Sequence, residues 1–378
     1  ITNNNLPAIG LGCMGLSEFY GPPAEQGAAI RLLHEAIDLG VQHFDTAEMY
    51  GMGANETLLG EAFHDRRDKV FIATKFGPIR DPDTGMPVGI DGSRENCRRA
   101  VEGSLQRLRT DVIDLYYLHR VDPATPIEIT VAAMAELVAE GKVRAIGLSE
   151  AGGDTIRRAA KIHPISAVQS EYSIFSRDIE AEVIPACIEV GATLVAYSPL
   201  GRGMLSGRFK KDESLGEGDY RAMTPRFQGE AYEANVALVD EIEAVASARS
   251  CQPAQIALAW VLGRGEHIMT IPGTTKLDNL KVNLGAYDIE LTDDEQATLD
   301  LGDGVDVVDV AGALGRRLAA LAVHRQHLPH LVDVDADGVA RQLDDDDFGL
   351  VGPVAGRHEA MTQVHHRDDA PAEVDDAL

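Results

Sequence analysis

The sequence predicts an α/β fold in which eight parallel strands close into a (β/α)8 barrel of the TIM type. Three observations predict it. Short β-rich apolar runs alternate with amphipathic segments about eight times, which calls for a parallel sheet with right-handed crossovers. Gly40, Gly141 and Gly191 each stand where a helical pattern hands over to an apolar run. A left-handed residue is expected at that junction. Polar and ionisable residues gather at the C-terminal ends of the runs, the functional face of a barrel.

The runs are Pro7–Met14, Gln42–Ala47, Val70–Lys75, Ile113–His119, Val143–Ser149, Ala167–Tyr172, Thr193–Leu200 and Ile268–Gly273. Apolar residues recur three and four apart in Ala28–Leu39, Arg94–Leu108, Ile127–Ala139, Ile179–Val190 and Glu233–Ala248, which reads as amphipathic helix. An open doubly wound sheet is the competing fold. In its favour, Gly10, Gly12 and Gly15 match a dinucleotide-binding glycine pattern. That pattern must open directly into a helix. Here Pro22 and Pro23 keep the chain out of a helix until about Ala24. The glycines therefore read as a close backbone approach at the end of the first strand.

The barrel is assigned to residues 1–301 and an atypical acidic tail to 302–378. From Gly302 onward there is no Lys, Asn, Tyr, Trp or Cys, with about 16 acidic and six basic residues. Such an imbalance favours a solvated segment over a packed one. Arg316–Val323 is its one helix candidate. The abrupt change in composition resembles a GC-rich gene read out of frame, an expectation that sequencing the 3′ end of the gene tests. His324, His327, His330, His365 and His366 raise metal binding as an idea, but no partner cluster supports it and no metal site is assigned.

A formal net charge of -27 argues against nucleic acid and anionic membranes as partners. No run reaches the roughly 18 apolar residues of a membrane span. The first residues lack the layout of a signal peptide. Cys13, Cys97, Cys187 and Cys251 form no CxxC pair and no zinc pattern, which suits a reduced cytoplasmic protein and small buried hydrophobes.

The chemistry-bearing residues follow from the run ends. The second run ends in Asp45 and leads to Tyr50, the third ends in Lys75, and the fourth in His119 and Arg120. Ser149 and Glu150 end the fifth run, the sixth carries Gln169 and Glu171, and Tyr197 and Ser198 and the segment Gly273–Lys276 end the last two. Reducing a carbonyl requires a hydride at carbon and a proton at oxygen. A free tyrosine titrates near ~10, too high for an ideal acid at neutral pH. A neighbouring ammonium at Lys75, held charged by Asp45, would lower that value. His119 would polarise the carbonyl.

With these residues in place, the sequence resembles the aldo-keto reductase family, in particular its pyridoxal-reductase-like branch. GLGCMGLSEFYGP, FDTAEMYG, ATKFG, DLYYLHRVDP, GKVRAIGLSEA, QSEYS, YSPLGRG and IPGTTKLDNLKVN fall in the family's order from about Pro7 to Leu301. The resemblance implies an NADPH-dependent reductase of aldehydes and ketones. Its implied tetrad is Tyr50 as general acid, Lys75 lowering the tyrosine pKa, Asp45 pairing with Lys75, and His119 orienting the substrate. It also implies that Ser149 and Gln169 hold the nicotinamide carboxamide, that Tyr197 stacks on the ring, and that Ser198, Leu200 and Arg202 wrap the pyrophosphate. Cys13 and Met14 are implied near the cofactor. Gly273, Thr274, Thr275, Lys276, Asn279 and Asn283 match the adenosine 2′-phosphate segment, with Lys276 on the phosphate and Asn283 on the adenine.

Asn279 and Val282 depart from an arginine and a glutamate common in relatives, so the preference for NADPH over NADH rests on Lys276. The family's N-terminal hairpin is mostly missing before Pro7, and the tail stands in place of its closing C-terminal segment. Met14, Phe76 and Arg120 are expected at the substrate pocket. The partner is a small-molecule carbonyl compound, with aromatic aldehydes as candidates, and oligomeric state is not legible. The competing function is a non-catalytic NADP-binding regulatory subunit, like the potassium-channel β-subunits of the same fold.

Overall fold

The computed structural model describes residues 6–209, 215 and 219–300, together with the backbone of 332–334 and 340–342. Eight strands form one parallel sheet: β1 (Leu11–Gly12), β2 (His43–Asp45), β3 (Phe71–Phe76), β6 (Ile113–Leu118), β7 (Val143–Ser149), β8 (Ala167–Glu171), β9 (Thr193–Tyr197) and β10 (Ile268–Thr270). The sheet closes on itself. Ile9 bridges Thr270 and Gly12 bridges Gly273, both parallel, and the Gly10 amide donates to the Thr270 carbonyl at 2.8 Å. All eight predicted runs therefore lie in the barrel wall.

Strand alternation sets two cores. Phe71, Ala73, Leu115, Tyr117, Ala167, Val195 and Ile271 fill the barrel interior. Ile72, Phe76, Tyr116, Leu118, Ile146, Leu148 and Val168 join the layer of helices outside. That outer layer includes α1 (Gln26–Asp38), α2 (Ala54–Phe63), α3 (Arg94–Leu108), α4 (Ile127–Ala139), α5 (Gly153–Ala160), α6 (Val183–Val190), α7 (Gly229–Ala248), α8 (Pro253–Leu262) and α9 (Leu277–Leu284). A further helix, α10 (Asp293–Asp300), ends the described barrel.

Local sequence explains the helix ends. The Glu25 carboxylate accepts from the Gly27 and Ala28 amides at the start of α1, and Ser93 accepts from the Asn96 amide at the start of α3. Gly40, Gly141 and Gly191 have φ of 90°, 74° and 71°, the left-handed exits expected from the sequence. The glycine motif does not open into a helix. Only the three-residue turn Met14–Leu16 follows it, and α1 starts at Gln26. A Cβ on Gly12 would stand 2.7 Å from the Ile271 carbonyl oxygen, which is the close strand approach that the prolines pointed to.

The sequence patterns did not single out α2, α5, α8, α9, α10 or the hairpin of β4 (Pro78–Arg80) and β5 (Pro87–Ile90). The chain divides into units 1–321 and 322–378. In the second, β11 (Val332–Val334) and β12 (Ala340–Gln342) pair antiparallel. The expected helix at Arg316–Val323 and the tail histidines lie outside the described residues.

Candidate active site at the C-terminal rim

Strand direction brings the expected residues together. Asp45 ends β2, Lys75 is the penultimate residue of β3, and His119 follows β6. Tyr50 opens the turn Tyr50–Gly53, where Gly51 and Met52 take φ of 55° and 52°. Lys75 is completely buried, and Asp45 is 2% exposed. The Lys75 ammonium donates to Asp45 Oδ1 at 2.5 Å, to the Thr46 carbonyl at 2.8 Å, and towards the Tyr50 hydroxyl at 3.5 Å. It also lies 5.1 Å from the Tyr50 ring centroid. The ring of His119 meets that of Tyr50 edge-on at 5.8 Å.

Burial dominates the electrostatics. It holds Lys75 below the usual lysine range, with the charge and hydrogen bond of Asp45 opposing the fall. It holds His119 well below the ordinary histidine value, and Lys75 and Arg120 push the same way. His119 is thus neutral at neutral pH, with a buried Nδ1 that has no partner among the described residues. The Tyr50 phenol is also raised, by burial first and then by Asp45, while Arg120 opposes. Removing the phenol from water disfavours the phenolate more than the nearby cations favour it. The result is a tyrosine that keeps its proton.

The flanking positions are mixed. Ser149, the last residue of β7, and Gln169, in the middle of β8, are buried, 1% and 3% exposed. Gln169 Nε2 donates to Asp45 Oδ2 at 2.8 Å, which joins it directly to the lysine–aspartate pair. Arg120 Nη1 donates to the His119 carbonyl at 2.8 Å and to Ser149 Oγ at 3.3 Å. Tyr197 is half-buried at the end of β9. Arg202 Nη2 pairs with Glu171 at 2.7 Å, and its Nη1 bonds the Tyr220 hydroxyl. Leu200 packs partly into the core.

One expected contact is overturned. Phe76 does not face the site: it is fully buried in the outer core and stacks on Tyr116 at 5.0 Å. With Lys75 pointing inward, the two-residue period of the strand forces its neighbour outward. Cys13 is packed behind the rim. Its side chain is fully buried, its amide donates to the Asp45 carbonyl, and its own carbonyl accepts from Asn55. Met14, next in the chain, is half-buried.

The residues that the sequence reading missed support the rim from behind. Thr46 donates to Asn55 Oδ1 at 2.6 Å, and Asn55 Nδ2 reaches Ser17. Thr74 donates to the fully buried Glu56, which also takes Arg107 at 2.7 Å. Arg80, on the β4–β5 hairpin, joins the Glu18 carboxylate to the Met49 carbonyl beside Tyr50. The one available signal was the polar pair Asn55 and Glu56 at a helix start.

Several features fit a phosphate-bearing dinucleotide. Glu150, Ser198 and Arg202 take φ of 54°, 49° and 60°, values that non-glycine residues adopt rarely and that cluster at ligand-binding loops. At the N-terminus of α9 no side chain caps the first amides, and Lys276 is exposed there. Uncapped amides with a cation form an anion site. Thr274 Oγ1 accepts from the Lys276 amide at 3.1 Å. Gly273, Thr275 and Asn279 are exposed, whereas Asn283 is 3% exposed on the inner side of α9. Among the described residues, no cluster of three or more His, Cys, Asp or Glu is arranged to hold a metal, and no helix is long and apolar enough to cross a membrane.

A (β/α)8 barrel with a buried lysine–aspartate pair, a protonated tyrosine and a neutral histidine on its C-terminal rim is built as an enzyme of acid–base chemistry. The chain belongs to the aldo/keto reductase family, whose model matches residues 8–301. It is 44% identical over 319 residues to the aldo-keto reductase yakc (NADP(+)) of Schizosaccharomyces pombe, covering 83% of this chain and 92% of that protein. Among solved structures it is similar to a glycerol dehydrogenase of Gluconobacter oxydans, with a TM-score of 0.71 and 28% identity over 87% of this chain and 94% of that one. An aldo-keto reductase of Klebsiella pneumoniae in complex with NADPH matches with a TM-score of 0.60 and 31% identity, over 78% and 90% of the two chains.

Proposed function

We propose that the protein reduces aldehydes and ketones to alcohols with NADPH. When bound, the reduced nicotinamide supplies the hydride. Tyr50 gives its proton to the carbonyl oxygen. The phenol is protonated at neutral pH, and its contact with the Lys75 ammonium stabilises the phenolate left behind, which offsets part of the cost of burial. Asp45 keeps Lys75 charged and aimed. Neutral His119 hydrogen-bonds the substrate oxygen through a ring N–H, which polarises the carbonyl while the imidazole stays uncharged. Ser149 and Gln169 hold the carboxamide, and the Tyr197 ring covers the nicotinamide. Ser198, Leu200 and Arg202 wrap the pyrophosphate. The observation that carries this reading is the single buried cluster of Tyr50, Lys75 and Asp45.

Lys276, with the open end of α9, favours NADPH over NADH by meeting the 2′-phosphate. Lys276→Ala therefore weakens NADPH binding about tenfold or more while NADH binding barely changes, by the usual worth of a charge-assisted contact. Fluorescence titration of both cofactors measures this, and equal losses place the phosphate elsewhere. The pyridoxal-reductase likeness and the half-buried Met14 make aromatic aldehydes the first class to try. Loss of NADPH absorbance over an aldehyde panel tests the function. Tight NADPH binding with no turnover across the panel contradicts it and leaves the regulatory-subunit reading.

A further inference from the structure

Acidic residues outnumber basic ones by 61 to 34. Cations at the rim are accordingly matched: Arg80 meets Glu18, Arg202 and Arg226 meet Glu171, and Arg99 and Arg107 meet Glu48. Arg120, beside the tetrad, and Lys276, at the start of α9, are exceptions among the described residues. No carboxylate lies within ion-pair distance of Arg120 among the described residues, although it is only half-buried. Its bonds to the His119 carbonyl and to Ser149 Oγ set it beside the tetrad on the rim.

Its geometry is more specific than its charge. Both of its hydrogen bonds leave from Nη1. Nε and Nη2, which share the opposite edge of the planar guanidinium, have no partner among the described residues. That edge carries two parallel N–H donors at the spacing of two carboxylate oxygens. The same edge is used elsewhere in this molecule. Arg158 donates from Nε and Nη2 to the two oxygens of Glu128 at 2.8 and 2.7 Å, and Arg249 does so to Glu295 at 2.6 and 2.5 Å.

We propose that Arg120 is a specificity residue that binds a carboxylate on the substrate, so that the preferred substrates are carbonyl compounds bearing a carboxylate. The fixed Nη1 contacts hold the guanidinium plane, and the free edge grips the acid while the carbonyl rests between Tyr50 and His119. The proposal rests on the reductase reading for its catalytic consequence, but not for its binding consequence.

The test uses the full chain with NADPH and two matched aldehydes, 4-carboxybenzaldehyde and 4-carbamoylbenzaldehyde. The wild type shows a higher kcat/KM for the acid by about tenfold to a hundredfold, the usual range for a bidentate charged contact. Arg120→Leu brings that ratio close to one, and Arg120→Lys retains part of it. A wild-type ratio near one, or a ratio unchanged in Arg120→Leu, overturns the proposal. So does a loss of NADPH affinity that accounts for the whole effect, because Arg120 then acts through Ser149 on the cofactor. If neither aldehyde turns over, the reductase reading has failed, and calorimetric binding of 4-(hydroxymethyl)benzoate against its amide still decides. Tighter binding of the acid that is lost in Arg120→Leu supports the anchor, and equal binding refutes it.

Discussion

His43 stands two residues before Asp45 on β2, fully buried, with neither ring nitrogen hydrogen-bonded among the described residues. Burial, the largest cause, pulls its pKa down to about 4 from an ordinary value of 6.5, against the attraction of Asp45. The sign of the effect on folding follows. Above about pH 6.5 the ring is neutral in both folded and unfolded chains, and the stability is fully present. As pH falls towards about 4, only the unfolded chain takes up the proton, and on the order of 3 kcal/mol is lost. His119 is depressed by the same cause and adds in the same direction. His43→Leu therefore loses less stability between pH 7.5 and pH 5 than the wild type, as read from urea midpoints. Parallel losses in the two proteins contradict this. At this scale the sequence displayed the tetrad well, because acid–base residue types at strand ends stand out. It did not display the direction of the Tyr50 shift, which depends on how deeply the phenol is buried. The outward turn of Phe76 was implicit in the inward turn of Lys75, by simple alternation.

Between elements, the position of the site depends on how α2 meets α3. Gly60 lies where the helices touch. A Cβ there would stand 2.2 Å from the Arg107 carbonyl oxygen and 2.8 Å from the Leu108 carbonyl carbon, both backbone atoms that cannot swing aside. Gly60→Ala forces the helices apart and costs about 1–3 kcal/mol, the usual cost of overpacking. Thermal unfolding then shifts down by several degrees, whereas an unchanged midpoint shows that the helices give way freely. The same junction holds Glu56 between Thr74 and Arg107, so loosening it reaches the strand that carries Lys75. The pattern of α2 was hard to read because its inner face buries Asn55 and Glu56 along with Leu59 and Phe63. Long helices with apolar inner faces, such as α3 and α4, were legible. The eight-residue helices α5, α9 and α10 give few turns in which a period can show, whereas α6, equally short, was legible because the turn before it extends the pattern from Ile179.

Across the whole molecule, strand count and the rim were legible because parallel strands buried on both faces read as apolar runs. Barrel closure between β1 and β10 was not. It rests on backbone pairing at Ile9, Gly10 and Gly12, which leaves little side-chain trace beyond the glycines. The family match and the rim chemistry cover the same part of the chain, residues 8–301. Within that barrel, Lys75, Asp45 and Tyr50 form one buried unit, and the account's central claim is that Tyr50 is the group that gives up the proton. Single-turnover oxidation of bound NADPH by an aldehyde, compared between the wild type and Tyr50→Phe with cofactor affinity measured alongside, tests that claim most directly. The account predicts a fall in rate of at least about a hundredfold, the scale of a lost general acid, with NADPH affinity kept. A variant that oxidises NADPH at the wild-type rate would contradict it.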